Sequence, residues 1–275
     1  MILNNTRRLF FNLFDLINGS KIKRHYKEVK RILDIHNNQG LNYENKEALN
    51  KLLIHAVNTT EYYFSNKKFS NLNDFSVIKK DIVQEKFEQF KSKSYLNKRH
   101  YKVSTSGSTG VPFVLYQNLN KRKRNHADAI YFFNQVGYNV GDKLYEFEVW
   151  RSHNKKSKIK AFIQNIHQFD VAKLTKDKIL HLINLLKNDK EPKAFLGFSS
   201  AYESICQFFE NNKENVETDF NVRTIIANSE YLNNYTRSNM SKIFNAPIYS
   251  RYSNEEIGII AQQIEGSGDE FVINW

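Results

Sequence analysis

The spacing of apolar positions along the chain changes near residue 100. Before that point it is helical: Leu49, Leu52, Leu53 and Ala56 follow the i, i+3, i+4, i+7 pattern of one buried helix face. The aromatics Tyr62, Tyr63 and Phe64 come next and are expected to close that helix against an apolar partner. A second helical stretch is expected from Asp81 to Phe90. Nearer the start, Leu9, Phe10, Phe11, Leu13, Phe14, Leu16 and Ile17 form an apolar run broken by Asn12 and Asp15. Arg7 and Arg8 precede this run, and Lys21, Lys23 and Arg24 follow it. The reading adopted is a helix docked on the protein's own core, with an amphipathic helix at a membrane surface as the alternative.

After residue 100 the pattern becomes short apolar runs punctuated by small polar residues. Tyr101, Lys102 and Val103 read as a strand end, and Phe113, Val114, Leu115 and Tyr116 as the next strand. Three later runs each end in small polar residues: Ala194 to Ser200, Thr224 to Ser229, and Pro247 to Ser253. Helices are expected between and beside them. One covers Lys178 to Lys187, with Ile179, Leu182, Ile183 and Leu186 on one face and Thr175 as N-cap. The others cover Ala201 to Asn211 and Asn234 to Phe244. Strands alternating with helices imply an α/β fold, with a mostly parallel sheet flanked by helices and joined by right-handed crossovers. Ligands of such sheets bind beyond the carboxyl ends of the strands. The expected organisation is a helical lead-in over 1–95 and a nucleotide-binding α/β core over 96–275.

Composition narrows the classes open to this chain. Only 3 prolines and 10 glycines in 275 residues argue against a disordered or linker-rich protein. No run approaches the ~20 apolar residues that span a bilayer, and no small-residue cleavage site follows the N-terminal run, so a cytoplasmic location is expected. Cys206 is the sole cysteine, which excludes an intramolecular disulfide and a thiolate metal cluster. Its neighbours Ile205 and Phe208 point to a buried thiol, with a nucleophile as the lesser reading. The formal charge of +12 favours anionic ligands in general. Its densest run, Lys121, Arg122, Lys123 and Arg124, reads as a solvated helix face or as a contact for phosphate or nucleic acid.

The sharpest chemical signal lies between the first two strands, in Ser104-Thr105-Ser106-Gly107-Ser108-Thr109-Gly110-Val111-Pro112. Glycines let the main chain approach a phosphate, successive N–H groups form an anion-binding concavity, and hydroxyls add donors. It is not the nucleotide loop of kinases and GTPases, which needs Gly-Lys-Ser/Thr leading into a helix. A surface hairpin is the plain alternative for its composition.

The order of those residues resembles the phosphate loop of the acyl-adenylate-forming superfamily. Within it the chain is similar to the phenylacetate-CoA ligase branch, and most of all to capsule-biosynthesis proteins of the CapK type. Other segments carry the same resemblance: Leu52 to Ala56 with Tyr62-Tyr63, Phe75 to Ile82, Gly137-Tyr138, Gly141 to Lys143, and Pro192-Lys193 leading into Gly197 to Ser200. Arg251-Tyr252-Ser253-Asn254-Glu255-Glu256 is similar to the superfamily's Tyr-Gly-x-Ser/Thr-Glu element. Here Ser253 replaces the usual glycine, and Glu255 stands where a small hydroxyl residue is common.

The resemblance implies the large N-terminal domain of an adenylate-forming enzyme using ATP, Mg²⁺ and a small carboxylate, with coenzyme A as acyl acceptor. Ser106, Gly107, Ser108, Thr109 and Gly110 would hold the phosphates. Tyr252 would stack on adenine, with Ser229 and Glu230 in the adenine pocket, and Glu256 would hold Mg²⁺ as the catalytic carboxylate. Ser199, Ser200 and Tyr202 are candidates for the carboxylate pocket, and helix capping explains the two serines equally well. A strand end with two solvated glutamates is the plain reading of the Tyr252 to Glu256 segment. The family's ribose-binding Asp and the small C-terminal domain with its catalytic Lys have no counterpart before Trp275, so a truncated protein of reduced activity is expected. The competing readings are a non-catalytic basic protein that binds nucleic acid or another polyanion, and an inactive fragment.

Overall fold

The computed structural model describes residues 2–36, 42–104, 113–151, 154–212 and 219–275. These divide into two compact units, one of residues 1–26 and 126–274, the other of residues 27–125 with Trp275. The division differs from the expected 1–95 and 96–275, because residues 1–26 are grouped with the sheet and residues 96–125 with the helical unit.

In the second unit, α3 (Asn42–Thr59) leads into a 3₁₀ turn at Glu61–Asn66, followed by α4 (Lys80–Glu85) and a 3₁₀ turn at Phe87–Phe90. Aromatic packing ties these short pieces together: Tyr62 stacks on Phe90 with ring centroids 4.1 Å apart. The expected stripe on α3 is only half right. Leu53 and Val57 are buried, whereas Leu49 and Leu52 are exposed. Burial follows i, i+4 from Leu53 and continues to Thr60, so the contact face is narrower than the apolar composition of the helix. Strands β1 (His100–Ser104) and β2 (Val114–Asn118) pair antiparallel, Ser104 opposite Val114. The Ser/Gly/Thr segment, with Ser106, Gly107, Ser108, Thr109 and Gly110, connects these strands and lies outside the described residues.

Two helices run from one unit into the other: α2 (Lys21–His36) and α5 (Leu119–Asn134). The basic run at the start of α5 is not the solvated face expected. Lys121, Arg122, Lys123 and Arg124 are all half-buried; Arg122 lies 4.3 Å over the Tyr101 ring and Arg124 pairs with Glu28 at 3.2 Å.

The first unit is built on a seven-stranded sheet. Its strands are β3 (Lys143–Glu148), β4 (Ile166–Asp170), β5 (Lys193–Phe198), β6 (Val222–Asn228), β7 (Ile248–Asn254), β8 (Gly258–Gln262) and β9 (Val272–Ile273). The spatial order is β4-β3-β5-β6-β7-β8-β9, parallel from β4 to β7 and antiparallel beyond. Strands buried on both faces read as near-continuous apolar runs, which is why Ala194 to Phe198 of β5 and Ile225 to Ala227 of β6 stand out in the sequence.

Side chains alternate across this sheet and so feed two cores. Phe147, Phe195, Ile225 and Ile248 meet α7 (Lys176–Asn188), α8 (Ser199–Asn212) and α9 (Asn234–Phe244) on one face. Leu144, Ala194, Leu196 and Ile226 meet Phe133, Val136 and Tyr138 on the other. Local signals set the helix ends. The Thr175 hydroxyl accepts from Lys178 N–H at the start of α7, and Asn233 accepts from Thr236 N–H at the start of α9. Asn245 closes α9 in the left-handed region, φ 48°.

At the N-terminus, α1 (Ile2–Ile17) departs from expectation. Leu9, Phe10, Leu13, Phe14, Leu16 and Ile17 are exposed rather than docked on the core, and Asp15 is buried. The helix meets the protein through its polar side, so the apolar run faces outward. Among the described residues no helix is long and apolar enough to cross a membrane.

Candidate functional site

Parallel register brings the carboxyl ends of β5, β6 and β7 into one row. Phe198 lies opposite Asn228, and Asn228 opposite Arg251. The next residues along the three strands are Ser199, Ser229 and Tyr252. Three segments far apart in sequence therefore open onto one edge, which is where open α/β sheets bind ligands.

Ser199 and Ser200 begin α8, and Ser229 and Glu230 leave β6. The two pairs are bonded to each other. Ser199 Oγ donates to the Glu230 carbonyl at 3.2 Å, and the Ser200 N–H donates to Glu230 Oε2 at 2.7 Å. A carboxylate at the first N–H groups of a helix satisfies an orphan donor and suits the helix dipole. Ser199 is buried and its hydroxyl proton is directed to main chain, whereas Ser200 is exposed at the edge. Ser229 takes φ 67°, a left-handed turn that swings the chain out of the sheet and leaves Tyr231 exposed and Leu232 buried.

Tyr252 is exposed near the end of β7. A register shift between Tyr252 and Ser253 breaks the ladder to β8 just there. Glu255 and Glu256 sit in the turn from β7 to β8, closed by Asn254 Oδ1 accepting from Ile257 N–H at 2.8 Å. Burial, and then the neighbouring Glu256, hold the Glu255 carboxyl above the usual carboxylate range.

Two residues that sequence reasoning left without a role join this edge. Glu148 ends β3, and burial, Glu146 and Glu255 together raise its pKa against the opposing pull of Lys156. Its signal was the alternation of Tyr145 and Phe147 with Glu146 and Glu148, which marks a strand ending in a carboxylate. Arg251 is buried beside Tyr252. Its Nε donates to Gln262 Oε1 at 2.6 Å, and its guanidinium lies 4.6 Å over the Phe133 ring. Burial pulls its pKa down to about 9, and its Nη2 has no hydrogen-bond partner among the described residues.

The edge thus carries an exposed aromatic ring, the Ser229 turn and a set of carboxylates. Among the described residues no group of three or more His, Cys, Asp or Glu is arranged to hold a metal ion. A magnesium ion on a polyphosphate needs only one or two protein carboxylates, because phosphates and water complete its octahedron. Glu256 fits that requirement. Cys206 lies elsewhere, buried in α8, where burial pushes its pKa up to about 12, as a structural thiol requires.

No protein-family profile matches the chain. It is similar to Protein CapK of Staphylococcus aureus, 24% identical over an alignment of 276 positions that covers 93% of this chain and 60% of that relative. The chain therefore spans about 60% of the length of the curated relative it matches. Among solved structures it is similar to 2-hydroxyisobutyryl-CoA ligase in complex with 2-HIB-AMP and CoA in the thioesterification state. The TM-score is 0.65 at 17% identity, over 84% of this chain and 54% of that one. An open conformation of that ligase, also with 2-HIB-AMP and CoA, gives a TM-score of 0.63 at 15% identity, over 82% of this chain and 56% of that one. The resemblance carried by the sequence motifs is borne out, and over 82–84% of this chain the fold is similar to that of part of 2-hydroxyisobutyryl-CoA ligase.

Proposed function

We propose that this chain, built on the fold of the adenylate-forming ligases, binds ATP along the carboxyl edge of its parallel sheet and activates a small carboxylate. The observation that carries this reading is the shared row of Phe198, Asn228 and Arg251, which sets Tyr252, Glu256 and the 228–230 loop on one edge.

In this reading the Tyr252 ring stacks on adenine, and the main chain of Ser229 and Glu230 borders the base. The hydroxyls and N–H groups of Ser106 to Gly110 cradle the phosphates. Glu256 would supply the protein carboxylate for Mg²⁺, whose charge would offset the repulsion between a triphosphate and the Glu148 and Glu255 carboxylates. Ser200 faces the incoming carboxylate; Ser199, with its proton on the Glu230 carbonyl, holds the loop instead. A carboxylate oxygen attacks the α-phosphorus, a C(O)–O–P linkage forms, and the bond to pyrophosphate breaks. A thiol such as that of coenzyme A then attacks the acyl carbon, forming a thioester and releasing AMP. The protein's part in both steps is alignment and charge neutralisation. The similarity to CapK supports surface-polysaccharide production in the cytoplasm as the setting.

Thermal denaturation with and without ATP and Mg²⁺ tests the reading, since a ligand of the folded state raises the melting temperature. A rise with ATP–Mg²⁺ that is lost when Ser108 and Thr109 are both changed to Ala is the expected result. A chain whose melting temperature ignores ATP at millimolar concentration would refute it. The nucleic-acid reading loses its support, because the Lys121 to Arg124 run is half-buried and Arg122 and Arg124 have partners within the protein.

A further inference from the structure

We propose that the outer face of α1 and α6 (Lys158–Gln164) docks on an anionic phospholipid surface. The inference is independent of the nucleotide reading and rests on an amphipathic helix packed with its faces reversed.

Helix α1 turns its polar side inward. Arg8 Nε donates to the Val140 carbonyl at 3.2 Å, Arg8 also pairs with Asp142 at 3.8 Å, and Asn4 Nδ2 reaches Asp142 at 3.5 Å. Asp15 is buried and accepts from the Ile22 and Lys23 N–H groups at 3.1 and 2.9 Å, which caps α2. The helix sits directly on Gly141, where a Cβ would come within 2.5 Å of the Asn4 carbonyl. These contacts fix the rotation of the helix, so its apolar side has to face away from the protein. Phe10 is 63%, Phe14 64% and Ile17 76% exposed.

The neighbouring helix repeats the arrangement. In α6 Ala161 is buried, while Ile159 is 74% and Phe162 71% exposed. The two helices adjoin: the Arg7 guanidinium lies 5.5 Å over the Phe162 ring, and Leu3, Arg7, Ala161 and Phe162 line one shallow cavity. Two adjoining helices thus expose large apolar side chains, a feature that marks a protein or membrane contact.

Charge selects the partner. From Met1 to Tyr26 the only carboxylate is Asp15, which is buried, against Arg7, Lys21, Lys23 and Arg24, with Arg8 taken up by Asp142. Between Glu148 and Asp170 there is no carboxylate, against Arg151, Lys155, Lys158 and Lys160, with Lys156 taken up by Glu146. Apolar side chains rimmed by cations match an acyl boundary beneath anionic headgroups. A second copy of the same face would set these cations against each other.

Co-sedimentation with phosphatidylglycerol vesicles and with pure phosphatidylcholine vesicles tests the proposal. The expected result is binding to the anionic vesicles at least about tenfold tighter than to the neutral ones, weakening as salt is raised. Leu13→Gln with Phe14→Gln, and separately Ile159→Gln with Phe162→Gln, should each reduce it about tenfold or more. The four side chains are exposed, so both variants should keep the wild-type melting temperature. Equal binding by wild type and folded variants, or no binding to anionic vesicles, would overturn the proposal. So would a wild-type dimer in sedimentation velocity that these variants abolish while vesicle binding persists.

Discussion

The Glu230 carboxylate accepts a hydrogen bond from the Ser200 N–H at 2.7 Å, joining the loop after β6 to the first turn of α8. Both residues were expected at the site on sequence grounds, and the bond gives one of them a positioning role. Glu230→Ala should cost about 1 kcal/mol, the usual worth of a helix-terminal acceptor. It should also shrink the ATP-induced rise in melting temperature, because the Ser229 turn loses its tether. Urea unfolding of Glu230→Ala and Glu230→Gln checks this, with the amide retaining part of the stability.

Cys206 should be unreactive in the folded protein. Burial first, and then Glu203, push its pKa up to about 12, so the thiol stays protonated through the physiological range. A thiol reagent at pH 8 should label it only after denaturation. The linkage has a definite sign. The folded thiol holds its proton from about 9 to about 12 while the unfolded one has lost it, so stability falls across that window as pH rises. The wild type should lose more stability than Cys206→Ala between pH 9 and 10.

Asp189 gives the opposite sign at acid pH. Burial alone would raise its pKa, but hydrogen bonds from Tyr145 at 2.8 Å and from Lys143 outweigh it and hold the carboxyl below its usual value. The stabilisation is therefore full above the unfolded value near 3.8 and is lost as pH falls through the folded one. Asp189→Asn should cost about 1–3 kcal/mol at pH 7 and flatten the acid limb of stability against pH.

Gly197 tests the packing beneath the edge. A Cβ there would lie 2.5 Å from the Phe147 Cβ and 3.0 Å from its carbonyl oxygen, both fixed in the adjacent strand. Gly197→Ala should destabilise by about 1–3 kcal/mol through overpacking, measurable as a lower urea midpoint.

The doubly buried strands were the legible part of this fold. Ala194 to Phe198 of β5 and Ile225 to Ala227 of β6 are apolar in succession, and Thr175 and the Asn234 to Phe244 helix followed rules of local capping and period. Strands β3 and β4 were harder to see, because Glu146, Glu148, His167 and Gln168 interrupt their apolar pattern. Helix α1 displayed its apolar face in the sequence but not its rotation, which depends on Gly141, Val140 and Asp142, distant in the chain. At the site, the register brings Ser229 and Tyr252 to the ends of neighbouring strands, and Glu256 lies in the turn beyond β7. Whether Ser199 served a substrate or a neighbouring loop could not be told from sequence, since a hydroxyl at a helix start suits either.

The most direct measurement of the central claim is photolabelling with an azido-ATP and Mg²⁺, followed by peptide mapping. The account predicts labels in the segments around Ser229 to Tyr231 and around Tyr252, suppressed by excess ATP and lost in Tyr252→Ala. Labels confined to other parts of the chain, unaffected by Tyr252→Ala, would contradict it.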